Sequence, residues 1–105
     1  MHAIVRSYEG IDQSKTDEVA RKVNETLLPR LNNLPGFGGY FLFEAEKGVM
    51  TSIGLFETSE QADESTRVVS NWVRDEKLDT ALPNSPKIAA GKVVAHKTNG
   101  TFNKA

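Results

Sequence analysis

The sequence contains no cysteine. That absence excludes a disulfide scaffold, a thiolate zinc site, an iron–sulfur cluster and a cysteine nucleophile. Histidine is nearly as scarce: His2 and His96 are the 2 in the chain, too few for a histidine-rich metal site built by one copy. An excess charge is missing too, with 13 Lys and Arg against 14 Asp and Glu. No overall positive field therefore draws the chain to nucleic acid or anionic lipid. No apolar run approaches the ~20 residues that span a bilayer, and Met1 to Arg6 offers none long enough for a secretory signal. Gly-x-Ser-x-Gly, His-Glu-x-x-His and phosphate-binding loops are all absent. The run Gly36-Phe-Gly-Gly39 fails the dinucleotide fingerprint, because position 41 is Phe and the run precedes a strand. It reads instead as a backbone turn with room for a bulge. What remains is a cytoplasmic protein expected to hold no metal or cofactor and to engage neither nucleic acid nor membrane. At 105 residues it suits a single domain.

The elements are more legible than the chemistry. Residues 2–8 are β-branched and aromatic and end at Glu9-Gly10, which predicts a first strand. Ser14 then offers a helix N-cap with acids behind it. Val19, Val23, Leu27 and Leu31 recur every four residues and form one apolar stripe. Pro29 lacks the amide that would bond to Glu25, so a kink or break is expected there. Leu34-Pro35-Gly36 stops the helix. Residues 37–46 and 49–57 flank Lys47-Gly48 as a hairpin. Thr58 and Gln61 make a capping box for a second helix running to about Leu78, with Ala62, Val69, Trp72 and Val73 inward. A proline-bearing loop, 81–86, leads to a last strand at 87–97. The domain is expected over 2–97, with a fraying tail at 98–105.

The order βαββαβ in so short a chain predicts an α+β, ferredoxin-like sandwich: a four-stranded antiparallel sheet with both helices on one face. Alternation along a strand then makes a second point. Tyr40-Phe41-Leu42-Phe43 places large apolar groups on both faces, as do Ile4 with Val5, Leu55 with Phe56, and Val93 with Val94. A bare sheet face of about 350 Å² is near the largest apolar patch a monomer leaves in water. The chain has nothing left to cover it, so a homodimer with face-to-face sheets is expected. Which face of each strand meets the helices stays open, since a one-residue slip reverses every assignment.

Leu34-Pro-Gly-Phe37 leading into Gly39-Tyr40-Phe-Leu, and Leu55-Phe-Glu-Thr-Ser-Glu-Gln-Ala62, resemble the antibiotic biosynthesis monooxygenase-like group of the dimeric α+β barrel superfamily. The resemblance runs through about residues 2–97, and its motifs are structural. It implies a dimer with a cavity between sheet and helices in each half. In the enzymes of that group such a cavity oxidises polycyclic quinols without metal or flavin. The haem-degrading branch of the superfamily is not matched, because the second helix holds no histidine. Nor is the Asn–Trp–Tyr–Arg pattern of the quinol oxidisers, since Asn71 and Trp72 are adjacent and point about 100° apart. No catalytic residue carries over.

Oxygenation without a cofactor needs a base, a group to hold the resulting anion, and a dry pocket. Arg6, sharing a strand face with His2, Ile4 and Tyr8, is the candidate anion holder. His96 is the candidate base, because an unperturbed histidine titrates near ~6.5. Tyr40 and Glu44, on one face of the second strand, and Trp72 are candidate substrate-binding residues. The competing reading pairs Arg6 with Glu44 across the dimer interface, leaves His96 exposed at a strand end and puts Trp72 in the core. Two functions stay open: a cofactor-independent monooxygenase acting on a small aromatic or polyketide-like compound, or a non-catalytic binding or accessory protein on the same scaffold. An isomerase or decarboxylase using the same cavity is a third class.

Overall fold

A computed structural model of the chain describes residues 1–98. Its strands are β1 (His2–Tyr8), β2 (Phe37–Glu46), β3 (Val49–Phe56) and β4 (Lys87–Lys92). The helices are α1 (Thr16–Lys22), α2 (Leu28–Asn32) and α3 (Ser59–Asp75). The sheet runs β2-β3-β1-β4, with every neighbouring pair antiparallel. This is the ferredoxin-like α+β arrangement that the order of elements predicts. No helix among the described residues is long and apolar enough to cross a membrane.

The register settles the faces. Leu42, Ser52, Arg6 and Ile88 stand in one row across the sheet, and Tyr40, Gly54, Ile4 and Ala90 in the next. These rows belong to the helix side, where Ile4 and Phe56 are buried and Tyr8, Tyr40 and Leu42 pack against the core. The opposite face carries the row Phe41, Ile53, Val5 and Ala89. There Phe41 is 58% exposed and Phe43 47%. The stripe Val19, Val23, Leu27 and Leu31 is buried throughout, as its spacing predicts.

Pro29 does interrupt the first helical stretch. The chain passes from α1 through a π-helical segment, Val23–Leu27, into α2, with the Leu28 amide donating to the Val23 carbonyl. With no amide at Pro29 the ladder widens by one residue before the proline. Thr58 and Gln61 form the expected capping box, with Gln61 N donating to Thr58 Oγ1 at 3.2 Å and Thr58 N to Gln61 Oε1 at 3.1 Å. Gly36 and Gly48 take the positive φ their turns require, 74° and 75°. A register shift between Phe37 and Gly39 marks the bulge.

Three expectations need correcting. Asp12, not Ser14, caps the first helical stretch: its carboxylate accepts from the Ser14 amide at 2.9 Å, and a short 3₁₀ turn precedes Thr16. The second long helix ends at Asp75, where Lys77 turns the chain out at a φ of 55° and Leu78 is buried separately. The last strand stops at Lys92 instead of Lys97. His2, the first residue of β1, pairs with Lys92. Beyond it only Met1 is left, whose carbonyl accepts from the Val93 amide at 2.9 Å. Val93, Val94 and His96 therefore lie off the sheet. Of the expected tail, residues 99–105 lie outside the described residues.

Candidate functional site

β1 and α3 build the site between them. Arg6 points from the centre of β1 toward α3 and is 2% exposed. Its Nη2 donates to Ser65 Oγ at 2.8 Å and to Thr66 Oγ1 at 2.9 Å. Ser65 is itself fully buried and bonded back to the Ala62 carbonyl. A guanidinium carries five donors, and those two contacts occupy both hydrogens of Nη2. The buried Nε has no acceptor, and among the described residues no carboxylate comes within ion-pair distance of Arg6. Burial pulls the guanidinium below its ordinary value, while Tyr8 and Tyr40 act in the opposite sense. Arginine starts so high that the group keeps its charge.

A cavity of about 250 Å³ opens over Arg6. Val69, Val73 and Leu82 supply apolar wall, Tyr8 and Thr66 supply hydroxyls, and the 79–86 segment forms the outer side. Asn84 ties that segment down by donating to the Glu9 carbonyl at 3.1 Å. Two residues along β1, on the face of Arg6, burial pushes the Tyr8 phenol up to about 12. Tyr40 is raised as well, mainly by burial, against the opposing effects of a hydrogen bond with Ser52 and the nearby Arg6 charge. Arg6 and two neutral phenols thus share the helix-facing side of the sheet. A buried cation with no carboxylate within ion-pair distance among the described residues, at the edge of a cavity, is suited to hold an anion.

The structure brings Arg6 and Tyr40 to one neighbourhood and separates the other candidates from it. Arg6 does not pair with Glu44, which is exposed on β2 near the hairpin, one row along and across the intervening β3; the guanidinium faces α3 and not the open face, so it does not reach a sheet-to-sheet interface. Trp72 is 2% exposed in the core, its Nε1 donating to Thr26 Oγ1 at 2.7 Å; it does not line this cavity. His96 is exposed beyond β4 and does not line it either. Tyr40 borders a separate, more open groove with Leu28, Pro29 and Phe37. Sequence reading missed Ser65, Thr66, Asn84 and the cavity-lining Asp79. Asp79 sits among charges that read as a solvated helix end, and indeed Asp75 pairs with Arg30 at 3.0 Å and Glu76 with Lys22 at 3.2 Å. Only the fold of the 79–86 segment turns Asp79 toward the cavity.

A four-stranded antiparallel sheet with helices on one face defines a ferredoxin-like α+β protein, here with a buried cation beside a cavity. No family model matches the chain, and no curated protein does. Solved structures do match it. One is a monooxygenase from Streptomyces coelicolor in complex with the ligand nanaomycin D, at 11% identity and a TM-score of 0.71, covering 93% of this chain and 91% of that one. A second is an antibiotic biosynthesis monooxygenase at 17% identity and a TM-score of 0.67, covering 90% and 100%. A third, a dimeric ferredoxin-like protein from an uncultured marine organism, gives 11% and 0.68, covering 93% and 91%. Others among the matches are proteins of unknown function. The likeness to antibiotic biosynthesis monooxygenases at these identities is one of fold.

Proposed function

We propose that the protein binds a small aromatic or polyketide-like compound in the cavity over Arg6 and oxidises it with molecular oxygen, with no cofactor of its own. The observation that carries this reading is the buried guanidinium with an unpartnered Nε and, among the described residues, no carboxylate within ion-pair distance. Oxygen reacts most readily with the ionised phenol or enol of such a compound, and a nearby cation favours that form. One oxygen atom enters the ligand and the other leaves as water, the two further electrons and two protons for that water coming from the ligand itself, which ends at the quinone level. Asp79, the carboxylate at the cavity, takes the role of base first expected of His96. The working unit is a homodimer joined through the face of Phe41 and Phe43, a reading supported by that apolar surface and by the dimeric neighbour.

A second reading, a binding protein without turnover, is favoured by one observation: neither histidine lines the cavity. Oxygen uptake and product mass with a panel of hydroxylated naphthoquinols separate the two. The expected result is uptake with one added oxygen atom in the product, lost in Arg6→Met. Binding without uptake supports the passive reading, and no binding in the cavity refutes both.

A further inference from the structure

We infer that Tyr8 is a second recognition group of this cavity and that, with Arg6, it selects aromatic carboxylic acids bearing a second oxygen at the far end of the ring system. The inference rests on the reading that the cavity over Arg6 is the binding site. Arg6 and Tyr8 are two residues apart on one strand face, which sets them about 7 Å apart along β1, and both line the same cavity. Ser65 and Thr66 hold one end of the guanidinium, which fixes the direction in which its remaining donors point. Those donors meet an ionised oxygen best, because charge-assisted bonds are the stronger kind.

Tyr8 differs from Tyr40 in a way that matters. Tyr8 lines the cavity over Arg6 whereas Tyr40 borders the separate groove, and none of the hydrogen bonds among the described residues engages the Tyr8 hydroxyl. Since burial raises it to about 12, the Tyr8 phenol keeps its proton at neutral pH and offers a neutral donor. Asp79 on the outer wall adds a like charge against a second ionised group there. The cavity thus presents a cation and a neutral donor that project from positions some 7 Å apart along β1, with Val69, Val73 and Leu82 as apolar wall. A monoanion with one carboxylate for Arg6 and one hydroxyl or keto oxygen at the other end of its ring system for Tyr8 satisfies both donors. At about 250 Å³ the cavity lies just below the usual ~300 Å³ lower bound of ligand pockets, which favours one or two rings.

Calorimetric titration of the full chain with 6-hydroxy-2-naphthoate, 2-naphthoate and methyl 6-hydroxy-2-naphthoate tests this. The hydroxy acid should bind roughly fivefold more tightly than the plain acid, the worth of one neutral hydrogen bond. It should bind at least about tenfold more tightly than the ester, which lacks the charge. Tyr8→Phe should abolish the first difference and leave 2-naphthoate binding within about twofold, whereas a merely structural tyrosine would weaken both acids alike. Arg6→Met should abolish the preference for acid over ester. Equal binding of ester and acid, equal losses for both acids in Tyr8→Phe, or no binding of any of the three overturns the inference. If Tyr8→Phe does not fold by circular dichroism, the three-ligand comparison on the native protein still decides. Oxygen uptake on naphthoquinols persisting alongside a negative result would leave the proposed function standing, whereas loss of all ligand binding would remove both.

Discussion

Arg6 is kept in the interior at a cost to folding. A buried cation gives up its hydration, and two hydroxyl acceptors return only part of it. Nothing in the packing of β1 against α3 demands a charge at that position: its row-mates are Leu42, Ser52 and Ile88. Arg6→Met, apolar and of similar length, should therefore leave the thermal midpoint unchanged or raise it, while the preference for an acid over its ester disappears. A fall of more than about 2 kcal/mol would mean that the guanidinium serves the fold and not a ligand. Tyr8 makes a separate prediction at high pH. Its phenol is raised from 10.0 to about 12 in the folded protein, so the unfolded chain loses that proton first. Stability is then fully present below pH ~10 and declines as pH rises toward ~12, by no more than about 2.5 kcal/mol. Denaturant midpoints across this range should show the decline, and Tyr8→Phe should flatten it, leaving the smaller share due to Tyr40.

Among the elements, α3 carries most of the site, supplying Thr66, Val69, Ser70 and Val73 to the cavity wall. Its start is fixed by local chemistry. The capping box of Thr58 and Gln61 leaves the Gln61 amide lying over Gly36, where a Cβ built on the glycine would meet Gln61 Oε1 at 1.8 Å. Gly36 also holds a φ of 74°. Gly36→Ala should thus cost about 2–3 kcal/mol, from left-handed strain together with a displaced cap. Adding Gln61→Ala should cost less than the sum of the two single changes, because the clash has been removed already. Additive losses in urea unfolding would show that glycine and cap act independently. The π-helical segment has a clear local cause in Pro29, and one of its residues, Thr26, accepts from the otherwise unsatisfied Trp72 indole while donating to the Lys22 carbonyl at 2.8 Å. The widened turn thus takes part in the core.

For the whole molecule, the two sheet faces have different fates. Leu42 packs into the helix-side core, whereas Phe41 and Phe43 project from the open face beside Ile53 and Val5. Phe41→Lys and Phe43→Lys, made separately, should keep the circular dichroism of the native protein and shift its native mass from dimer to monomer. Leu42→Lys should instead lose the fold, because it buries a charge without a partner. A native mass unchanged by either phenylalanine substitution would refute the face-to-face assembly.

How much of this was readable in the residues varies with the range of the forces involved. The apolar stripe from Val19 to Leu31, the break at Pro29, the hairpin at Gly48 and the capping box at Thr58 are written within a few residues of themselves. Short-range sterics and hydrogen bonding act at that distance, so the sequence by itself determined those elements and, through their order, the ferredoxin-like topology. That Arg6 shares a strand face with Ile4 and Tyr8 was legible too, since side chains alternate along a strand. The tertiary structure decided what depends on register and on distant partners. It turned Arg6 toward Ser65 and Thr66, 59 and 60 residues away, and so away from the open face. It ended β4 where β1 runs out at His2, which removed His96 from the sheet, and it folded the 79–86 segment so that Asp79 borders the cavity. A side chain's face depends on a single residue of register, and its partners depend on which segments the whole chain packs together. Neither quantity is encoded near the residue itself.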